Sequence, residues 1–202
     1  MAIIVDKEQK RRDIALASKA LILEKGIMEP TISAIAKAAG IGKGTFYEYF
    51  KSKEALLFEL VNILMYEYNA SQESKLSTCY STQEKLKCFA GFFYEEESRE
   101  LRLLYKMFVG MSMISVHEEV VAFQTECFDY YYHWFERLIQ EGIDQGEIVP
   151  ETRQMAKGLF AMAKGMFIAS ETTHSIEDLE KEIAVYVDTL FIFVAKEENN
   201  AS

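Results

Sequence analysis

A chain of 202 residues, half of them hydrophobic and 27% charged, has an ordinary soluble globular composition and suffices for one large domain or two smaller ones sharing a junction. Its three cysteines, Cys79, Cys88 and Cys127, have neither CxxC nor Cys/His ligand spacing, which argues against a disulfide framework or a structural zinc and fits a reducing cytoplasm. The opening MAIIV run is too brief for a signal peptide, and the most apolar later stretch, Leu159 to Ser170, contains Lys164 and falls short of the roughly 20 apolar residues a membrane span needs.

The net charge of −10 is unevenly spread. Residues 1–51 carry nine Lys/Arg against six Asp/Glu, a net of +3, whereas residues 52–202 carry a net of −13. The N-terminal quarter is therefore the only basic part, as expected of a phosphate-facing module joined to an acidic body.

Apolar residues recur at three- and four-residue spacing nearly throughout, and strand signals are almost absent, which predicts an all-α fold of about nine helices. Ile14, Ala17, Leu21 and Ile22 stripe a first helix that runs to about Lys25, where Gly26 supplies a C-cap. Thr31 then caps a short helix whose inward face is Ile32, Ile35, Ala36 and Ala39, with Ser33 and Lys37 pointing away. Gly40-Ile41-Gly42 breaks it, and a second short helix runs from Lys43 to Phe50. Ser52 caps a helix expected to reach about Ala70, and the Ser/Thr-rich segment Ser71 to Ser81 reads as a loop. Ser81-x-x-Glu84 is a capping-box pattern opening a helix to about Glu97, and another helix covers roughly 99–113. A long helix over about 117–141 carries Val116, Val120, Phe123, Cys127, Trp134 and Leu138 on one face and is expected to stop at Gly142. After a turn at Asp144 to Pro150 comes a helix of about 20 residues, and Ser175-x-x-Asp178 is expected to cap the last one, with a polar tail from Glu197. The expected organisation is an N-terminal three-helix domain over 1–51 and a helical bundle over 52–202, with the helix at 52–70 bridging the two.

Two short helices joined by a glycine-containing turn form the helix-turn-helix pattern, whose second helix enters the major groove of double-stranded DNA. On that helix Phe46 and Phe50 lie one turn apart and face inward, while the opposite face presents Gly44, Thr45 and Glu48, flanked by Tyr47 and Tyr49. Gly44 lets the helix start approach the duplex, and Lys43 adds a positive charge there. The tyrosine hydroxyls can reach phosphates, and Thr45 a base edge or thymine methyl.

The run TISAIAKAAGIGKGTFYEYFKSKEALL, Thr31 to Leu57, resembles the DNA-binding domain of the TetR family. The likeness includes Gly26, the Thr31–Ala39 helix, the run Lys43-Gly44-Thr45-Phe46-Tyr47, and Phe50 followed by Lys51-Ser52-Lys53-Glu54-Ala55-Leu56. The resemblance implies Thr31, Ser33, Lys43, Gly44, Thr45, Tyr47, Tyr49 and Lys53 as the DNA-contacting set, with Lys53 holding a phosphate. Two residues depart from the family pattern. Gly42 stands where a serine or threonine is common, and Glu48 puts a negative charge on the outward face, read as a solvated surface residue.

Region 92–167 is rich in aromatics and methionine, whose default reading is ordinary core. The family resemblance places a pocket for a small, largely apolar or aromatic effector among these helices, with Phe92, Met107, Met111, Tyr131, Trp134 and Met162 as candidates. It further implies a homodimer through the last two helices, where Gly158, Ala161, Gly165 and Ala169 line one side and Phe160, Phe167, Val187, Phe191 and Val194 are the candidate interface. His117 and His133 read as a helix-end and a surface or pocket-wall residue, and Glu95-Glu96-Glu97 as a solvated helix end; no metal or cofactor is expected. GxSxG and HExxH are absent and GIGKGT lacks the Walker spacing, so no enzyme is expected. The function implied is a ligand-responsive transcriptional regulator, a repressor released from its operator by the effector. The alternative is a helical-bundle carrier or enzyme for a hydrophobic ligand, without DNA binding.

Overall fold

The computed structural model describes residues 6–114 and 117–196, and among them it contains nine α-helices, two single 3₁₀ turns and one isolated antiparallel bridge, Ile148 to Ala195. The helices are α1 (Lys7–Lys25), α2 (Ile32–Ala38), α3 (Lys43–Tyr49), α4 (Lys53–Ser77), α5 (Thr82–Ala90), α6 (Arg99–Ile114), α7 (Glu118–Asp144), α8 (Thr152–Thr172) and α9 (Leu179–Val194). The all-α architecture expected from periodicity is the one found. Val116 and the tail from Glu197 lie outside the described residues.

By packing, the chain falls into two compact units, Met1–Asn69 with Glu100–Gln124 and Ala70–Arg99 with Thr125–Ser202. In the first, Ile14, Ile22, Ile35, Phe46, Phe50 and Leu60 are at most 1% exposed and form the core of α1 to α4. Phe58 of α4 stacks on Phe123 of α7 at 4.5 Å and on Phe108 of α6 at 5.8 Å. In the second, the Phe160 ring of α8 meets Phe128 at 5.1 Å, Phe135 at 5.7 Å and Tyr132 at 5.9 Å, all on α7. Phe93 and Phe167 pack at 5.4 Å. Such offset and edge-on pairs each add to the burial of their apolar area.

Helix ends depart from the sequence expectation at four places, each with a packing cause. α4 continues through 71–77, where a loop was expected, because Tyr68, Gln72 and Leu76 repeat every four residues on a buried face. Burial there outweighs the weak helix propensity of serine. Lys75 further holds that turn by ion pairs to Glu95 at 2.5 Å and Glu97 at 2.6 Å, so these two carboxylates brace the end of α4 rather than forming a solvated helix end. Hydrogen bonding to Glu95 and then Glu97 is the chief reason the Lys75 pKa rises, and bonding to Lys75 lowers that of Glu97.

α5 stops at Ala90 instead of running to Glu97. The Tyr94 and Glu95 amides donate to the Gly91 carbonyl at 3.1 and 2.8 Å, folding the chain so tightly that a side chain at 91 would meet the Glu95 carboxylate. α7 passes through Gly142, which is buried against Thr82 with no room for a Cβ, and ends instead at Asp144, two residues before Gly146. Gly146 has φ +75°, and its amide and that of Glu147 satisfy the Ile143 and Gly142 carbonyls. The cap of α9 is Asp178, which accepts from the Lys181 amide at 3.0 Å, so that helix starts later than a cap at Ser175 would place it.

Of the candidate dimer residues, Phe160, Phe167, Val187 and Val194 are buried within the chain itself, and Phe191 is half-buried. Their apolar side chains already have an interior to fill, so they offer little surface to a second copy.

Lys164 is charged yet half-buried on α8, its ammonium 4.6 Å from the Phe128 ring centroid and 5.2 Å from that of Phe160. Burial pulls its pKa down to about 8. The unfolded chain therefore holds this proton more tightly than the folded one, so stability rises as pH climbs from about 8 toward the ordinary lysine value. Lys164→Met is expected to stabilise the protein at pH 7 by about 1–2 kcal/mol, the lost cation–π attraction offsetting part of the relieved desolvation, and to flatten that rise in urea unfolding. An unchanged or lower midpoint at pH 7 would overturn this assignment.

Candidate nucleic-acid interface

The turn between α2 and α3 is built by backbone chemistry. Gly40 sits at φ +67°, and the Gly40 and Ile41 amides donate to the Lys37 and Ala36 carbonyls at 3.0 and 2.9 Å, closing the end of α2 in a left-handed cap that favours glycine. Thr31 starts α2, its hydroxyl oxygen accepting from the Ala34 amide at 3.2 Å. Gly42 is the N-cap of α3 and offers no side-chain acceptor to the first amides of that helix.

This frame holds α3 with Phe46 and Phe50 inward, as the spacing predicts, and places most of the expected contact set on the outside. Thr31, Ser33, Lys43 and Gly44 are exposed, and Thr45 and Tyr49 half-buried. Tyr47 is 51% exposed, and its ring rests edge-on against Phe46 at 5.6 Å, so one face is braced by the core while the remainder points outward. A Cβ at Gly44 would meet nothing within 4 Å, so nothing inside the chain requires glycine there. Glu48 is exposed, as read from the sequence.

Lys53, expected at a phosphate, is engaged within the chain. Its Nζ donates to the Met28 carbonyl at 3.0 Å and the Pro30 carbonyl at 3.2 Å, tying the start of α4 to the α1–α2 connection. Arg11, absent from the expected set, is the central support of α3. Its Nη1 donates to the Tyr49 carbonyl at 2.6 Å, its Nε to Glu59 at 2.6 Å, and its guanidinium lies 4.4 Å from the Phe50 ring centroid. One side chain from α1 thus holds the last turn of α3 and α4 together through charge-assisted bonds. The signal available in the sequence is register: Arg11 extends the buried stripe Ala15, Ser18, Ile22 of α1 by one turn.

Of the candidate pocket residues, Met107 and Met111 line a cleft of about 340 Å³ in the first unit, together with Met28, Gly110 and Ile114 and with Lys25, Glu29 and His117 at its edges. The other four belong to the second unit. Tyr131 stacks on Trp134 at 6.3 Å, Trp134 receives Phe89 edge-on at 5.5 Å, Phe92 packs on Phe93 at 5.1 Å, and Met162 is half-buried on α8. Burial raises the Tyr131 and Cys127 pKa values, the latter to about 11. His133 is exposed. Among the described residues no group of three or more His, Cys, Asp or Glu is arranged to hold a metal ion, and no helix is long and apolar enough to cross a membrane.

Residues 14–60 match the family model described as bacterial regulatory proteins, tetR family. The chain is 24% identical over 184 residues to the fatty acid metabolism regulator protein of Bacillus subtilis (strain 168), a span of 88% of this chain and 93% of that protein. Its fold is similar to that of a transcriptional regulator from Saccharomonospora viridis in complex with choline, with a TM-score of 0.75 and 18% identity over 94% of this chain and 99% of the other. It is also similar to SmeT, the repressor of the Stenotrophomonas maltophilia multidrug efflux pump SmeDEF, with a TM-score of 0.70 and 20% identity over 93% and 91%.

The Arg11 clamp is testable by itself. Arg11→Ala is expected to destabilise the protein by about 1–2 kcal/mol and to weaken DNA binding, whereas Arg11→Lys, which keeps the charge but not the fork, restores only part of either. Thermal unfolding and a DNA titration of both variants are the measurements; an alanine variant as stable as its parent would contradict the clamp.

Proposed function

Given that the chain belongs to the TetR family of DNA-binding bacterial regulators, we propose that it acts in the cytoplasm as a homodimeric repressor released from its operator by a small, largely apolar or aromatic molecule. The observation that carries the reading is α3 itself: a short helix anchored by Phe46, Phe50 and Arg11 whose outer face offers Lys43, a bare Gly44, Thr45 and Tyr47. Lys43 and the tyrosines serve phosphates, Thr45 a base edge, and Gly44 the close approach of backbone to duplex. The description of SmeT as a repressor supports the sign of regulation, and that of the Bacillus subtilis relative as a fatty acid metabolism regulator supports an apolar effector.

The cleft beside Met107 and Met111 supports a route for release. Met28 lines it, and the Met28 carbonyl is held by Lys53, the first residue of α4 and four positions beyond the end of α3. A molecule that displaces Met28 acts directly on that hydrogen bond and so on the seating of α3. Couplings of this kind change affinity by about 5- to 150-fold.

The dimer is proposed through the outer faces of α8 and α9 rather than through the buried residues named from the sequence. Ile192 and Phe193 are 78% and 76% exposed, Met155 and Val185 are also exposed, and a Cβ at Gly158 or Gly165 would meet open space. Mid-helix glycine costs about 1 kcal/mol relative to alanine, so two of them with no internal contact to relieve favour close approach of a second helix from outside the chain.

A mobility-shift titration against DNA from upstream of its own gene is expected to give a specific complex. Lys43→Ala with Tyr47→Ala is expected to weaken it at least about tenfold while leaving the dimer intact. No specific shift even at low salt would sink the regulator reading and leave a carrier or enzyme on a helical bundle. Separately, Gly165→Gln is expected to yield a folded monomer by light scattering with undiminished helical circular dichroism; a persistent dimer would remove this face from the interface.

A further inference from the structure

Two of the three thiols are neighbours in space, although their spacing matches no redox or metal motif. Cys79 follows α4, and its Sγ lies 3.6 Å from the Lys75 carbonyl. Cys88 is on α5, where the Gln72 amide nitrogen donates to the Cys88 carbonyl at 3.0 Å and lies 3.6 Å from its Sγ. Gln72 and Lys75 are three residues apart on α4, so both sulfur atoms stand against one flank of that helix, and the Cys79 thiol acts on the Cys88 thiol electrostatically.

We infer that Cys79 and Cys88 form an intramolecular disulfide when the reduced protein meets a peroxide, and that Cys127 takes no part. Peroxide oxidises the Cys79 thiol to a sulfenic acid as its O–O bond breaks and one water leaves. The Cys88 sulfur then attacks the sulfenic sulfur, the S–O bond breaks, and the hydroxyl departs with the Cys88 proton as a second water. Two thiols lose two electrons, and one peroxide is reduced to two waters.

The order of roles follows from surroundings. Cys79 lies in the short connection between α4 and α5, whereas Cys88 is within a helix and tied to Gln72. Burial, then the neighbouring Cys79 thiol, pushes the Cys88 thiol up to about 11, which leaves little thiolate at neutral pH and makes it the slow resolving partner rather than the first to react. Cys127, on α7 near Lys164, has its own thiol pushed up to about 11, chiefly by burial. The product is a modification answering sustained oxidation, and it ties the end of α4 to α5. Nothing in it depends on DNA binding.

The test uses the full-length reduced protein treated with hydrogen peroxide. Denatured thiol titration is expected to fall from three thiols to one, with an intact-mass loss of about 2 Da and a linked peptide containing Cys79 and Cys88 in non-reducing peptide maps. Cys127→Ser is expected to show the same mass loss, while Cys79→Ser and Cys88→Ser show none. Oxygen addition without a linked peptide in the parent protein, a link through Cys127, or a mass loss that survives Cys79→Ser would each overturn the inference. The peptide map of the parent protein decides the matter even if a serine variant folds poorly.

Discussion

A helix of seven residues has too few hydrogen bonds to persist alone in water, so α3 exists only because Phe46 and Phe50 are sunk into the core made by α1, α2 and α4. That anchoring decides the direction of every other side chain on the helix. With the two phenylalanines inward, Gly44 and Tyr47 face outward by helical geometry. Arg11 completes the arrangement from the opposite side, covering the Phe50 ring and accepting responsibility for the Tyr49 carbonyl that the end of α3 leaves unpaired. The outward face of α3 is thus a by-product of hydrophobic burial, stiffened by one guanidinium.

Electrostatics and packing divide the remaining work. The first 51 residues have a net charge of +3 against −13 for the rest, so attraction to a phosphate backbone is concentrated around α3 while the body is repelled by it. That distribution favours one orientation of approach. The outer face of α3 itself carries little positive charge, since Lys43 is balanced by Glu48, and it is otherwise hydroxyls and backbone. Arg11 seats the end of α3, and Lys53 ties down the α1–α2 connection.

Lys53 and Met28 join the lining of the cleft to the start of α4. Met28 lines the cleft, and its carbonyl, with that of Pro30, accepts from Lys53 at the start of α4. The second unit follows a different logic. Its aromatic cluster around Phe160 fills the interior, and the apolar residues left over, Ile192 and Phe193 among them, lie outside it.

The sequence by itself determined the all-α class, the helix-turn-helix and its register, because these depend on local rules: periodicity at Ile32, Ile35 and Ala36, caps at Thr31 and Ser81, and a left-handed glycine at Gly40. Tertiary structure alone decided matters in which residues distant in sequence compete for the same space. Serine-rich 71–77 became helix because Gln72 and Leu76 are buried, and Gly142 turned out to be a point of close approach to Thr82 rather than a stop. Phe160, Phe167, Val187 and Val194 were used up by their own core, since apolarity says that a side chain will be covered but not by which surface. The register of α1 places Arg11 on its buried stripe, but the partners of Arg11 and Lys53 and the Cys79–Cys88 neighbourhood were out of reach, because a long polar side chain or a thiol finds its partner only after the chain has folded back on itself.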